Sequence, residues 1–158
     1  MDGDDDLRCL RQAIDLARRS RASGNHPFGA LIVGADGKVL AEAINRAAPG
    51  RGDATGHAEL EAVRAASAAY PADRLRAATL YSSAEPCAMC AGAIYWAGIG
   101  RVVYGLSETR LLALTGSHPE NPTLALPCRE VFARGQRAVE VVGPLIEDEA
   151  AAVHAGFW

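Results

Sequence analysis

The sequence predicts an α/β fold in which helices cover a mixed sheet. Segments of helical periodicity alternate with short β-rich runs along the 158 residues, the pattern of a sheet flanked by helices. Two of those runs are joined by a tight turn and must be antiparallel neighbours, whereas later runs are separated by helices and imply parallel neighbours. The composition, 49% hydrophobic and 22% charged with a net charge of -3, suits one domain spanning 1–158 with a substantial core and excludes disorder.

Each element has its own reason. Over 6–22, Leu7, Leu10, Ile14 and Ala17 recur at helical spacing. Asp4, Asp5 and Asp6 at the start and Arg18, Arg19 and Arg21 at the end complement the helix dipole, and Gly24 closes the segment. The three arginines read as a solvated helix end. The apolar run 29–33 is a buried strand, Ala35-Asp36-Gly37 a turn, and 38–43 the return strand. Pro49, Gly50, Gly52 and Gly56 make 45–56 a loop. An Ala-rich helix at 57–69, a strand at 78–83, an apolar helix at 87–97 and a strand at 101–105 follow. The stretch 107–127 reads as one helical turn around Leu111 and a proline-containing loop, after which 138–142 is a last strand and 145–158 a last helix. There is no internal repeat and no low-complexity linker.

The charge balance, with an isoelectric point near 5.8, lacks the strongly basic footprint of a protein that grips a phosphate backbone. No apolar stretch approaches the roughly 18–20 residues of a membrane span. The acidic start, 1–6, is unlike a secretory signal. A soluble, cytoplasmic protein is expected. In such a reducing compartment a close cysteine pair reads as metal-binding or redox-active rather than as a disulfide. Of the four cysteines, Cys9 falls on the apolar face of the first helix and Cys128 follows Pro127; both read as packing residues.

The chemistry concentrates in two short segments, His57-Ala58-Glu59 and Pro86-Cys87-Ala88-Met89-Cys90. The Cys-x-x-Cys spacing lets two thiolates converge on one ion from a single turn, and zinc favours sulfur together with imidazole nitrogen. His57 would be the third ligand. Three protein ligands leave a fourth position open, which marks a catalytic zinc able to activate water near neutral pH. Glu59 is the candidate proton carrier. Residues two apart on a regular helix do not share a face, so its place over the metal depends on geometry at the first turn. A thioredoxin-like redox pair would leave His57-Ala58-Glu59 unexplained. An inactive zinc-stabilised scaffold would be signalled by loss of Glu59 or of a ligand, and all are present.

Together the two motifs match those of the zinc deaminases. With Pro27-Phe28-Gly29-Ala30, Asn45 and the run from Glu85 to Trp96, the chain resembles the cytidine deaminase-like superfamily over about 6–110. Within it, the likeness is to the branch of guanine, cytosine and tRNA adenosine deaminases. The resemblance implies a three-layer α/β/α sandwich with a mixed five-stranded sheet, zinc (Zn2+) on His57, Cys87 and Cys90, and a proton shuttle at Glu59. It implies hydrolysis at a ring carbon bearing an exocyclic amine, with release of ammonia. It also implies that Asn45 and the Ala58 backbone bind the base, which stacks on a wall containing Phe28.

Trp96 and the terminal Phe157-Trp158 resemble guanine deaminases, homodimers whose C-terminal segment covers the active site, often after exchange between subunits. The ending is also similar to cytosine deaminases, where a helix carrying Trp and Phe closes over a pyrimidine. Guanine deaminases carry an acid beyond the second zinc motif that recognises the amino substituent of guanine. Here that region reads Ser117-His118-Pro119-Glu120, and His118, Glu120 and the nearby Glu108 are the candidates for that role. Ala91-Gly92-Ala93 and 99–105 resemble tRNA adenosine deaminases. Glu147, Asp148 and Glu149 instead put repulsive charge where those enzymes hold RNA. The expectation is a homodimeric, guanine-deaminase-like enzyme acting on a free nucleobase or nucleoside, with cytosine-type activity on pyrimidines or modified bases and tRNA-type activity as alternatives; a nucleic-acid partner ranks below a small molecule, and no membrane partner is expected.

Overall fold

The computed structural model describes residues 2–158. Helix α1, Gly3–Ala22, begins three residues earlier than its apolar periodicity indicates, because the Asp2 carboxylate accepts the Asp5 N–H at 2.9 Å and caps the helix. Cys9, Leu10, Ala13, Ile14 and Ala17 form its buried face, so Cys9 is the core residue its position indicated. Strands β1, Gly29–Val33, and β2, Val39–Ile44, form the antiparallel hairpin. Strand β1 also pairs antiparallel with the later strand β5, Thr79–Ala84. Beyond it, β6, Arg101–Leu106, and β7, Glu140–Val142, add in parallel, which gives the order β2-β1-β5-β6-β7.

Parallel neighbours need crossovers, and helices supply them. Helix α4, Ala88–Ala97, links β5 to β6, while α5, Glu108–Thr115, and α6, Cys128–Ala133, lie between β6 and β7. Side chains alternate across the strands. Leu31, Val33, Tyr81 and Val103 pack with α1 and with the C-terminal helix α7, Glu147–Ala152. Ile32, Leu80 and Val102 pack with α4, α6 and α2, Ala58–Ala69. The result is the three-layer mixed sandwich, buried on both faces. Gly29 permits the close fit of α1, since a Cβ there would lie 2.5 Å from Ala17 N and 2.6 Å from Ala13 O. Cys128 is fully buried in the second core, as its packing role requires.

Five local features depart from the sequence reading. The segment 45–56 is not all loop, since Ala47–Ala48 (β3) and Arg51–Gly52 (β4) pair as a small ribbon. A five-residue helix, α3 (Ala72–Arg76), follows Pro71; it is too short to show periodicity. Around Leu111 there are two helical turns, capped by the Ser107 hydroxyl, rather than one. The last helix stops at Ala152 instead of Trp158, because Gly156 takes a positive φ of 72° and Arg21 captures the carbonyls of Val153 and Ala155 at 2.9 and 2.6 Å. Arg21 is therefore no solvated helix end, and its guanidinium also lies over the Phe157 ring at 5.5 Å.

A buried polar knot ties α1 to the sheet. Asp6 accepts two hydrogen bonds from Arg101, both 2.7 Å, and one from the Tyr81 hydroxyl at 2.8 Å. Among the described residues no helix is long and apolar enough to cross a membrane. The start of β1, the end of β2 and the carboxyl ends of β5 and β6 all meet at one edge of the sheet. That edge of an open α/β sheet is where ligands bind, and it gathers Phe28, Asn45, Glu85, Cys87 and Glu108.

Candidate active site

His57 and Cys87 occupy equivalent places, each the residue just before a helix. Both have extended backbones (φ -67°, ψ 148° and φ -66°, ψ 172°), and neither uses its side chain to cap its own helix. The two side chains are free to face each other, and Cys90 joins them from the first turn of α4. His57 Nδ1 lies 3.5 Å from Cys87 Sγ and 3.6 Å from Cys90 Sγ, and the three ligand atoms fall within 4.8 Å of one another. Tetrahedral zinc with bonds of about 2.0–2.1 Å to nitrogen and about 2.3 Å to sulfur sets those atoms about 3.6 Å apart. The donor set and its spacing fit zinc, with one coordination position left for water or substrate.

Protonation in the trio is shared. The Cys90 thiol donates toward Cys87 and, with His57, holds the Cys87 thiol down to about 4. Cys90, the donor, is pushed up by that bond and by burial, and its bond to Cys87 raises His57 to about 9. A thiol proton and an imidazolium proton thus stand where a divalent cation would stand, and metal binding releases them.

Glu59 lies beside this trio. His57 precedes the helix, so the rule against i, i+2 neighbours on a regular helix does not separate them. Glu59 is buried, with Oε1 accepting from the Ser82 hydroxyl at 2.6 Å and Oε2 3.7 Å from Cys90 Sγ. Burial raises its pKa, which suits a group that must both take and return a proton.

A cavity of ≈ 620 Å³ opens onto these groups, and its walls include Phe28, Asn45, His57, Glu59, Cys87 and Glu108. Asn45 extends β2 by one residue, its N–H on the Phe28 carbonyl at 3.2 Å, and its buried Oδ1 has no hydrogen-bond partner. Burial, with the charges of Cys87 and Glu85 nearby, pushes Glu108 up to about 8. Ala58 is fully buried as the first residue of α2 and does not line the cavity.

Other predicted contacts are placed differently. Trp96 does not reach the site: six residues beyond Cys90 it is turned about 240° around α4, and it is 85% exposed. His118, Phe157 and Trp158 form a layer outside the cavity wall. Trp158 stands edge-on to His118 at 5.4 Å and to His26 at 5.2 Å, and donates Nε1–H to His154 Nδ1 at 2.9 Å. Glu120 lines the cavity, but its carboxylate is engaged, Oε1 accepting from Gly50 N–H at 3.1 Å and Oε2 3.4 Å from His26 Nε2. The C-terminal segment covers this side of its own chain.

Two residues of the site escape a sequence reading. His26 lines the cavity just before the Pro27-Phe28-Gly29 motif, and its position there was the available signal. Glu85, beside Pro86-Cys87, is buried with each carboxylate oxygen on a different backbone N–H: Oε1 on Glu108 at 3.0 Å and Oε2 on Cys128 at 2.9 Å. It joins the metal-bearing loop to the starts of α5 and α6.

A mixed sheet with one imidazole, two thiols and a buried carboxylate at adjoining helix starts defines a zinc hydrolase of the deaminase type. The sequence comparisons place it further. Residues 4–106 match the family model for the cytidine and deoxycytidylate deaminase zinc-binding region, and the chain belongs to that family. It is 44% identical over 153 residues to a probable cytosine deaminase of Schizosaccharomyces pombe, covering 97% of this chain and 92% of that one. It is 43% identical over 101 residues to a guanine deaminase of Bacillus subtilis, covering 63% and 64%. Among solved structures, guanine deaminase from Nitrosomonas europaea superposes with a TM-score of 0.72 at 30% identity, covering 92% of this chain and 80% of that one.

Proposed function

We propose that this chain hydrolyses the exocyclic amine of a free nucleobase, a cytosine-type pyrimidine before guanine. The observation that carries a base in this cavity is Asn45, whose buried amide oxygen has no protein partner and lines the same wall as Glu59. A buried polar atom left unpaired is costly, and the polar edge of a heterocycle satisfies it.

Zinc held by His57, Cys87 and Cys90 supplies, when bound, the Lewis acidity that makes water a nucleophile near neutral pH. Glu59 takes the proton given up by the attacking water and delivers it to the ring nitrogen beside the carbon under attack. It then takes the second proton, from the hydroxyl now on that carbon, and passes it to the amine, which leaves as ammonia while the carbonyl forms. The Ser82 hydroxyl holds one Glu59 oxygen, so the other is the one that turns toward substrate. Phe28 offers a face for stacking, and Glu108, whose carboxyl is pushed up by burial, offers a polar group in the same cavity.

A relative named for cytosine is 44% identical over 97% of this chain, which supports ranking the pyrimidine first. Guanine, favoured by the sequence reading, is the second reading, supported by a cavity of ≈ 620 Å³ that has room for a bicyclic base. A polynucleotide is disfavoured by the acidic first turn of α7. The outer face of α4 supports a homodimer: Trp96 is 85% exposed on a helix apolar on all sides. Four free cysteines suit the cytoplasm.

The test is ammonia release by the zinc-loaded protein on cytosine, guanine, adenine and their nucleosides. Cytosine as the best substrate supports the reading. Preference for guanine moves the assignment to the purine, and activity on nucleosides alone overturns the free-base proposal.

A further inference from the structure

The backbone of His26 is pinned on three sides. Its N–H donates to the Ala47 carbonyl at 2.9 Å, and its own carbonyl accepts from the Ser20 hydroxyl at 2.7 Å and from Phe28 N–H at 2.9 Å. The residue is 6% exposed, and its ring stands edge-on to Phe157 and Trp158, with centroids 5.8 and 5.2 Å away. His26 is therefore a fixed post in the cavity wall. Its Nε2 is buried without a hydrogen-bond partner and faces Glu120 Oε2 at 3.4 Å. Glu120 belongs to the irregular stretch between α5 and α6, which supplies the outer cavity wall from Glu120 to Leu124. Its other oxygen holds Gly50, in the turn between β3 and β4. One carboxylate thus joins three wall segments that are far apart in sequence.

We propose that His26 is a positioning residue which, through Glu120, seats the 117–124 segment against the β3–β4 turn and so sets the outer wall of the substrate cavity. This assigns Glu120 to the wall itself and leaves Glu108 as the cavity acid free to meet a base. The inference rests on the cavity being the substrate site, so one of its tests needs no substrate.

In a Trp96→Phe background, Trp158 is the remaining tryptophan and packs on both His26 and His118. Zinc-loaded His26→Leu is expected to make Trp158 more accessible to acrylamide, and His26→Gln, which restores a polar group facing Glu120, to return it toward the parent value. Unchanged quenching in His26→Leu overturns the contact whatever the substrate. With the best base from the ammonia panel, His26→Leu is expected to raise KM about tenfold, the worth of one ordinary polar contact, with kcat within about twofold. Glu120→Gln keeps an oxygen for Gly50 and loses the charge facing His26. The double variant is expected to be no worse than His26→Leu alone, because both remove one contact. Additive losses overturn the pairing. A fall in kcat at constant KM overturns the positioning role and places His26 at the reacting atoms.

Discussion

Glu85 makes the sharpest energetic prediction. Each of its oxygens takes a buried backbone N–H, from Glu108 at 3.0 Å and from Cys128 at 2.9 Å, and its own N–H donates to the Leu106 carbonyl at 2.7 Å. Hydrogen bonds to a charged group contribute about 1.5–3 kcal/mol each. Glu85→Gln preserves shape but can accept only one of the two, and sets an NH2 against the other donor. A loss of about 1.5–3 kcal/mol is expected, and about twice that for Glu85→Ala, which strands both donors. For a chain of this length each kcal/mol shifts Tm by about 2–4 °C, so Glu85→Gln should melt about 3–12 °C lower. The assay is thermal unfolding of the zinc-loaded variant by circular dichroism, with zinc content checked beside it. A drop below about 1 °C at full zinc content would show that the two N–H groups find other partners, and the tie between the metal loop, α5 and α6 would be refuted.

Three further outcomes follow from the geometry. The Arg101 guanidinium, aided by the Tyr81 hydroxyl, holds Asp6 below its usual 3.8. Its stabilisation is therefore complete above that value and lost as pH falls through the lowered one; acid titrations of stability should show Asp6→Asn flatter than the parent below about pH 4. With Cys87 near 4 and His57 near 9, zinc loading at pH 7 should release about two protons, from Cys90 and His57. Calorimetry in buffers of different ionisation enthalpy measures the number, and a value near zero would contradict the shared-proton description. Trp96→Lys should leave zinc content and Tm unchanged while weakening self-association, read by sedimentation; an unchanged assembly would remove α4 from the interface.

The metal site was legible because its chemistry is local. His57 with Glu59, and Cys87 with Cys90, lie within single turns at two helix starts, and zinc dictates both residue type and spacing. The alternating strands showed the layers for the same reason, since burial on two faces leaves a continuous apolar run such as 29–33. What could not be read depends on contacts between distant segments. Glu120 meets His26 and Gly50, Glu85 meets Cys128, and Arg21 captures the carbonyls that end α7, and no periodicity encodes such pairs. Trp96 enters the sequence reading through its resemblance to guanine deaminases; its helical phase relative to Cys90 points away from the cavity of its own chain. Helix α3 is shorter than the window in which a 3.6-residue period can be recognised.

The measurement that bears most directly on the account is ammonia release by zinc-loaded protein and by zinc-loaded Glu59→Ala, on the best base of the panel, with metal content determined for both. The account predicts one zinc per chain in each, and a loss of at least about a hundredfold in kcat for the variant, the scale of removing a general acid–base. Undiminished turnover in Glu59→Ala at equal zinc content would contradict it.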